Sequence, residues 1–491
     1  MGKLKVQTVK GTIINYAGIL IGFVTAAILS PQVDSRYIGL VSVIVSYAVI
    51  MSQVGSLGLA GITTRLFTYF RTDDNRHHGF LFLSVIITLA GFLISTVILV
   101  IIRYFVYFQR SDNDLFLHYF WFIIPVLLFI LIFNLFDNYY KMLYNAVTGI
   151  FLKEFVQKAG TFFAVLMIVA GLIGYETFVV VYLAGYSLPG ILMLIYALKD
   201  RKNHFTPELN YLRPAMKRAV LSVGLFSIIS TATGIVAINI DKIMIEAFTG
   251  LSKAGVYTIA FYFGVVIAVP ARSMLKIASA HIADAWKRKD RENIKMIYQK
   301  SAINLFVVGA FLVTVLYINL DNILVLLKGD YADGKYVIIL IALAYLTDMI
   351  AGTAGTVLFT SKKYQYQSYI MIIYVLLIVV TNLILIPKYG INGAALATLI
   401  SKAIINIIRF SVIYFFFRFQ PYNYKFLLVP LTVLLVLVIN NFTGKAEHFI
   451  IDIIIRSGAA FLLYFGTVYI LNISEDMNLH VKLILKKKTD S

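Results

Sequence analysis

The chain of 491 residues contains no cysteine. This excludes disulfides, thiolate metal ligands and a thiol nucleophile. Charged residues are also scarce, at 14%, whereas soluble domains average about a quarter. Hydrophobic residues make up 60% of the chain, and the mean hydropathy is +0.86. This composition predicts an all-α integral membrane protein with no soluble domain.

Catalytic signatures are absent from the sequence as well. It has no nucleophile elbow, phosphate loop or zinc-ligand spacing, and such motifs carry the common hydrolytic and nucleotide chemistries. We therefore expect no catalytic residue, no metal site and no enzyme activity. We also expect no cofactor, although coupling to a Na⁺ or H⁺ gradient or to the membrane potential is compatible with the sequence.

Long apolar runs fill the chain. A helix crossing about 30 Å of hydrocarbon needs about 20 mainly apolar residues. On that basis the sequence predicts about 14 transmembrane helices, at residues 11–30, 38–61, 79–102, 116–136, 155–174, 176–198, 219–248, 254–275, 301–319, 336–358, 367–387, 391–415, 425–442 and 449–472.

The formal net charge of +19 is distributed unevenly. Lysine and arginine gather in every second connection, including residues 199–218 and 287–295, which is the orientation signal of membrane proteins rather than that of a nucleic-acid binder. The alternation predicts cytoplasmic termini. The basic stretches 276–300 and 479–491 either lie on anionic lipids of the cytoplasmic leaflet or are an ordinary positive-inside loop and tail.

The sequence also repeats itself. Residues 37–51 match residues 253–267 in pattern, with Gly39 opposite Gly255, and the shift carries the first six predicted spans onto spans seven to twelve. An even number of crossings returns the chain to its starting side, so the two halves are expected to be parallel repeats. We therefore predict an N-terminal lobe at 1–212, a C-terminal lobe at 213–418, and two further spans with a basic tail at 419–491.

Four stretches resemble a known transporter superfamily: "KGTIINYAGILIGFVTAAILSPQV" (10–33), "YIGLVSVIVSY" (37–47), "NIDKIMI…LSKAGVYTIAFYF" (239–263) and "KYGINGAALATLIS" (388–401). Together they resemble the multidrug/oligosaccharidyl-lipid/polysaccharide exporter superfamily, in its Wzx-type branch of O-antigen and exopolysaccharide flippases. The resemblance implies two six-helix lobes plus a terminal helix pair. It also implies the movement of a polyprenyl-diphosphate-linked oligosaccharide across the cytoplasmic membrane of a bacterium, with other glycan assembly proteins as partners.

Asp241 lies inside the seventh predicted span. Ser227, Thr231, Gly234, Ile238 and Asp241 follow a 4-3-4-3 spacing, which places them on one face of a helix. An aspartate facing lipid near a helix centre would cost about 2.5–3.5 kcal/mol, so we expect Asp241 to face the protein interior or a wet cavity. A structural pairing between helices and a role in binding substrate or a coupling ion both remain open.

Four basic residues are candidates for holding the diphosphate. Arg65 ends the second span, and Arg272 and Lys276 occupy the corresponding part of the eighth span; Arg409 lies late in the twelfth. A planar guanidinium suits bidentate binding of phosphate oxygens. We therefore predict that Arg65 and Arg272 face a cleft from opposite lobes. The alternative is that these residues anchor the helices at the lipid headgroups.

Two other charged positions lie inside predicted spans. Asp348, in the tenth span, either binds a coupling cation or proton or accepts a hydrogen bond from a neighbouring helix. Asp452 and Arg456 stand four residues apart in the last span and are expected to neutralise each other, with no transport role.

Three other functions remain possible on the sequence alone. The first is a cation-coupled exporter of drugs or organic cations from the same superfamily, which would need acids such as Asp241 and Asp348 in its cavity. The second is a membrane polymerase or ligase of sugar chains, which would usually need a long outer loop that this chain lacks. The third is a non-transport scaffold for glycan assembly.

Overall fold

The structure of the chain is a computed structural model, and it describes residues 2–106, 114–208, 211, 213–442, 444–479 and 482. Within these residues the chain is helical and contains no strand. Its α-helices are α1 (Gly2–Phe23), α2 (Ser35–Gly55), α3 (Leu59–Phe70), α4 (Phe80–Ile101), α5 (Leu115–Tyr119), α6 (Ile123–Met142), α7 (Val147–Ile150), α8 (Gln157–Val169), α9 (Tyr175–Lys199), α10 (Pro214–Thr249), α11 (Leu251–Val265), α12 (Val269–Arg288), α13 (Arg291–Ile318), α14 (Leu320–Leu326), α15 (Lys335–Ala351), α16 (Ala354–Thr360), α17 (Tyr364–Phe417), α18 (Lys425–Asn441) and α19 (Phe449–Ile470).

Shorter helical turns connect or extend these helices. Among the described residues, three are π-helical, at Val24–Leu29, Ile102–Val106 and Phe151–Val156, and five are 3₁₀ turns, at Ser30–Gln32, His77–Gly79, Phe120–Phe122, Val266–Ala268 and Gly329–Gly334. Each π-helical turn continues an α-helix without a break in the chain, so it changes the rotation of the following side chains without ending the helix.

The structure confirms an all-α, multi-pass membrane protein. In its described part, eleven helices are long and apolar enough to cross a membrane. The predicted spans 367–387 and 391–415 fall in one 54-residue helix, α17. The span 155–174 falls on the end of the π-helical turn Phe151–Val156 and on α8, which ends at Val169, and the span 425–442 corresponds to the 17-residue helix α18. The count of about fourteen crossings therefore remains a prediction, as does the orientation of the termini.

Of the two basic stretches, the structure describes the first in full and the second only in part. Residues 276–300 belong to the helices α12 and α13 and the short connection between them. Most of the predicted basic tail, at residues 480, 481 and 483–491, lies outside the described residues. Contact of either stretch with anionic lipids remains a prediction.

The long helix α17 contains a sharp backbone change at Gly390, where φ is 57° and ψ is −135°. Only glycine adopts this combination readily, because it has no Cβ. Pro387, three residues earlier, also weakens the helical ladder by removing an N–H donor. The two predicted spans are thus joined by a kink rather than by a loop.

The chain folds into two compact units, residues 1–258 (unit 1) and residues 259–491 (unit 2). The boundary lies within α11, so α10 packs as part of unit 1. The lobes predicted from the repeat, with boundaries at 212 and 418, remain a prediction.

Helices α2 and α11 meet inside unit 1 at residues related by the repeat. A Cβ on Gly39 would overlap the carbonyl oxygen of Leu251 and lie 2.9 Å from the backbone nitrogen of Gly255, so the two backbones touch. Thr258 donates a 3.0 Å hydrogen bond to Ser42, its counterpart at the same separation of 216 residues. Contacts between equivalent residues are expected where a two-fold axis passes, and they support the parallel repeat.

The last two helices, α18 and α19, pack against α13 in unit 2. Buried residues of this cluster include Val307, Val429, Val436 and Tyr464. At the start of α19, the side chains of Asp452 and Arg456 form an ion pair of 2.8 Å, and both are more than 90% buried. The mutual neutralisation expected from their spacing is confirmed.

Candidate functional site

Unit 1 contains a cavity of about 310 Å³ lined by both apolar and polar side chains, at the lower end of the range for small-molecule sites. Its walls come from α2, α3, α4, α6, α9, α10 and the π-helical turn before α8. Its polar lining consists of hydroxyls, amides and one lysine: Ser52, Gln53, Ser56, Thr88, Asn134, Asn138, Lys153, Gln157, Tyr186, Ser187 and Thr231. No carboxylate occurs among the described residues that line it.

Local helix irregularities shape this cavity. Lys153 lies in the π-helical turn, and Gln157 begins the α-helix that follows. Pro189 lies within α9 and lacks an N–H, so the ladder there is broken. The side-chain amide of Gln157 donates a 2.9 Å hydrogen bond to the carbonyl oxygen of Tyr186 beside this break.

The hydroxyls of the cavity are available as hydrogen-bond acceptors, and its amides as both donors and acceptors. Ser52, Ser56 and Thr231 each donate to a backbone carbonyl of their own helix, at 2.7, 2.9 and 2.9 Å. A hydroxyl that donates in this way keeps its lone pairs as acceptors. The amides of Asn134 and Asn138 add both donors and acceptors, so the lining matches the mixed hydrogen-bonding character of sugar hydroxyls.

Lys153 supplies the positive charge of this cavity. Its Nζ lies 5.8 Å from the ring centroid of Phe133, and the residue is exposed. A flexible ammonium group is a common point-charge partner for phosphate. Sequence reasoning missed Lys153, because no residue near it along the chain reveals that α2, α6 and α9 meet beside it.

Asp241 lies in the interior of unit 1, 1% exposed. The Tyr257 hydroxyl donates a 2.7 Å hydrogen bond to its Oδ2. This agrees with one of the two surroundings expected from the sequence, the protein interior. Its assignment to substrate or ion coupling remains a prediction.

The basic candidates near span ends are exposed. Arg65, on α3, places its guanidinium carbon 5.7 Å from the ring centroid of Phe226. Arg272 and Lys276 are exposed on α12. Their placement around a substrate cleft remains a prediction, as does the alternative of anchoring at the headgroups.

The structure brings Asp348 and Arg409 together in unit 2. Lys402 forms an ion pair with Asp348 Oδ2, and the amide of Asn406 donates to Oδ1 at 2.9 Å. Arg409 in turn donates to Asn406 Oδ1 at 2.9 Å and approaches the sulfur of Met371 at 3.5 Å. We call Asp348, Lys402, Asn406 and Arg409 the charged network.

Sequence reasoning missed Lys402 and Asn406, although a signal was present. Residues 402, 406 and 409 follow a spacing of four and three and therefore share one face of α17. A lysine inside an apolar span marks a functional or paired position. The aromatic ring of Tyr345, with its centroid 4.1 Å from Lys402 Nζ, adds a cation–π contact.

Among the described residues there is no group of three or more His, Cys, Asp or Glu side chains placed to hold a metal ion. The charged network contains a single carboxylate, already engaged by an ammonium and an amide. Its geometry suits an ion pair within the protein.

The described geometry can be set beside known proteins. A family model described as "Polysaccharide biosynthesis protein" matches residues 8–282. The capsular polysaccharide biosynthesis protein CapF of Staphylococcus aureus is 23% identical over 190 residues, which cover 38% of this chain and 47% of that protein. The match thus spans about half the length of that relative.

Two solved structures share the fold. The structure described as lipid II flippase MurJ, inward closed conformation, matches with a TM-score of 0.73 at 14% identity, over 95% of this chain and 98% of that one. An inward-facing multidrug resistance MATE family transporter of the MOP superfamily matches with a TM-score of 0.62 at 12% identity, over 88% and 96%. At such identities the likeness shows a common fold.

Proposed function

We propose that this chain, which belongs to the polysaccharide biosynthesis protein family, moves a polyprenyl-diphosphate-linked oligosaccharide across the cytoplasmic membrane of a bacterium by alternating access. The family and the fold make it a membrane transporter of the flippase type in the multidrug/oligosaccharidyl-lipid/polysaccharide exporter superfamily. The resemblance read from the sequence is thereby confirmed. The identity of the substrate, a lipid-linked oligosaccharide, is what we propose in addition to the family and the fold.

The main support for this proposal is the cavity of unit 1. Its lining combines hydroxyl and amide groups with Lys153 and has no carboxylate among the described residues. Hydroxyls and amides recognise sugar hydroxyls, and the ammonium provides a partner for a phosphate oxygen. A bare diphosphate cannot enter hydrocarbon, so a transporter must offer it cations and polar groups.

The alternative of an organic-cation exporter needs carboxylates facing its substrate. Asp241 is buried and bonded to Tyr257, and Asp348 is paired with Lys402. The fold shared with the multidrug transporter is compatible with this alternative and does not favour it. A non-transport scaffold would make no use of a sugar-compatible cavity.

The membrane potential is proposed to assist transport. With the diphosphate moving outward across an inside-negative membrane, each negative charge gains about 2.3 kcal/mol per 100 mV. If lipid-linked oligosaccharide flipping in vesicles is unchanged after collapse of both the voltage and the ion gradients, this part of the proposal is wrong.

The decisive experiment compares Lys153→Gln with Lys199→Gln. Both changes remove one positive charge from unit 1, but only Lys153 lines the cavity, and Lys199 is an exposed residue at the end of α9. Each variant is expressed in the native host lacking the chromosomal copy. Surface polysaccharide and lipid-linked oligosaccharide retained in the membrane are then quantified.

We expect Lys153→Gln to lower export by about tenfold, the usual effect of losing one hydrogen bond to a charged group, while retained lipid-linked oligosaccharide rises. Lys199→Gln should resemble the wild type. Equal export by both variants would contradict the proposal. A change in resistance to organic cations without any change in lipid-linked oligosaccharide would favour the drug exporter.

A further inference from the structure

Lys153 reaches the cavity of unit 1 from a π-helical turn. This turn, Phe151–Val156, joins α7 to α8, and Lys153 is the one described lining residue that a π-helical turn supplies. A π-helical turn closes its hydrogen bonds over five residues instead of four, so it holds about one residue more than an α-helical turn. Because each residue rotates an α-helix by about 100°, the extra residue sets the direction of Lys153 relative to α8.

Glycine contacts hold the chain before and within the turn. A Cβ on Gly149, in α7, would overlap Oδ1 of Asp137 on α6. A Cβ on Gly18, in α1, would overlap the carbonyl oxygen of Glu154, which belongs to the turn itself. Only a residue without a Cβ permits such an approach. The position of this part of the chain is therefore set by α6 and α1.

The chain after the turn is held by a different helix, α9. A Cβ on Gly160 would lie 2.9 Å from Cα of Gly185, so the backbones of α8 and α9 touch. One turn earlier, the amide of Gln157 donates its 2.9 Å hydrogen bond to the carbonyl oxygen of Tyr186. The rotation of α8 is therefore set by α9, through contacts that involve neither α1 nor α6.

These two sets of contacts give a physical reason for the π-helical turn. Such turns are rare and occur mostly as single turns inside α-helices, frequently at functional sites. If the same residues formed a regular α-helix, one end would rotate by about 100° relative to the other. One set of contacts would then be lost. The extra residue of the π-helical turn lets both sets form together.

We propose that Gly18 and Gln157 are positioning residues for Lys153. Their contacts with the carbonyl oxygens of Glu154 and Tyr186, respectively, hold the π-helical turn, and the turn keeps the ammonium of Lys153 in the cavity. When either contact is lost, the turn relaxes to an α-helix and Lys153 rotates out of the cavity by about 100°. The use of Lys153 in export rests on the proposed function, whereas its position does not.

The test measures the position of residue 153 directly, without a transport assay. Because the chain has no cysteine, Lys153→Cys introduces a single reporter at this position. Asn138→Cys, on α6, is a second reporter that lines the same cavity outside the turn. The rate of reaction with a water-soluble methanethiosulfonate reagent is measured for each reporter in the purified full-length chain in detergent.

Gly18→Ala should slow the reaction at position 153 and leave that at position 138 unchanged. We expect a decrease of about tenfold, equivalent to about 1.4 kcal/mol, which is within the usual cost of overpacking. Gly22→Ala is the matched control on the next turn of α1. Its Cβ would lie 3.6 Å from Cδ of Lys158, an ordinary contact, so both reporters should react at the wild-type rate.

Gln157→Met is the second variant, and it decides the question if Gly18→Ala fails to fold. Methionine is of similar length and cannot donate to Tyr186, and the site is only half-buried. The rate at position 153 should fall about fivefold, equivalent to about 1 kcal/mol, the scale of one neutral hydrogen bond. Thr161→Val is the control, because the Thr161 hydroxyl donates only to carbonyl oxygens of its own helix.

Two kinds of result would overturn the inference. A wild-type rate at position 153 in folded Gly18→Ala would overturn the role of Gly18, and the same result in Gln157→Met would overturn that of Gln157. Equal slowing at positions 138 and 153 would show that the whole cavity had closed. A rotation of the turn would then not be the cause.

Export assays separate this inference from the proposed function. Selective slowing at position 153 by Gly18→Ala, together with normal export by that variant when Lys153 is present, would keep the positioning role and refute the use of Lys153 in export. Wild-type labelling rates in Gly18→Ala and Gln157→Met, together with lowered export by Lys153→Gln, would do the reverse.

Discussion

Replacing Asp452 by leucine tests whether the terminal helix pair depends on its buried ion pair. Oδ2 of Asp452 lies 2.8 Å from Nε of Arg456 and accepts a 2.7 Å hydrogen bond from the amide of Asn322. Oδ1 accepts a 2.9 Å hydrogen bond from the backbone N–H of Ala446. A single carboxylate therefore compensates one buried cation and satisfies two neutral donors.

The expected loss in the free energy of unfolding depends on the charge and the hydrogen-bond donors that the substitution leaves unpaired. The side chain of Arg456 is only 8% exposed, so without Asp452 its charge stays buried and unpaired. Breaking a buried pair in this way costs about 3–5 kcal/mol of the free energy of unfolding. Replacing both residues by leucine removes the cation as well. The remaining loss should be about 1–2 kcal/mol, because the two donors left behind, on Asn322 and Ala446, are only half-buried and water partly replaces the carboxylate.

The absence of cysteine makes the measurement simple. Ala460 is 2% exposed in α19, so a single Ala460→Cys substitution reports unfolding of the terminal pair through its reaction with a thiol reagent. The free energy of unfolding would be obtained from labelling across a titration with sodium dodecyl sulfate. All variants carry the same reporter.

Asp321→Leu is the matched control. Asp321 and Lys445 also form an ion pair, at 3.0 Å, but their side chains are 65% and 69% exposed. Exposed pairs contribute below about 1 kcal/mol. If Asp452→Leu costs no more than this control, burial does not set the strength of these pairs and the reasoning is refuted.

Two glycine substitutions test the backbone contacts. Gly39→Ala places a Cβ in steric overlap with the carbonyl oxygen of Leu251 and should destabilise the chain by about 3 kcal/mol or prevent folding altogether. Its control, Gly458→Ala, adds a Cβ in open space and should be neutral or slightly stabilising. Equal melting temperatures for the two variants would contradict the close contact between α2 and α11. Gly390→Ala forces φ near 57° on a residue with a Cβ and should cost about 1–3 kcal/mol. A melting temperature unchanged from the wild type would mean that the kink in α17 is not required.

The fold was largely predictable because membrane crossing is a local property of the chain. The predicted spans fall in helices over most of the chain, since apolar length and loop charge are read from neighbouring residues. The predicted spans and the observed helices differ at α17 and at α18. Gly390 and Pro387 bend α17 without a polar loop, and α18 is shorter than a simple crossing.

The candidate sites were predictable only in part. Asp348 and Arg409 were selected as charged residues in apolar spans, and the structure brings them together in the charged network. Lys402 could have been selected by the same rule. Lys153 could not, because its importance comes from Asn134, Asn138 and Gln157 on other turns of helix beside the same cavity.

By itself, the sequence determined that this is a multi-pass helical membrane protein that resembles polysaccharide exporters, and it predicted an internal repeat. Hydropathy and periodicity suffice for that, because each depends on residues close along the chain. Only the tertiary structure decided that Lys402 neutralises Asp348, that Tyr257 bonds to Asp241, and that a carboxylate-free cavity opens among the described residues of unit 1. These outcomes depend on how each helix is rotated and bent against its neighbours, which side-chain packing sets and a pattern of apolar residues does not.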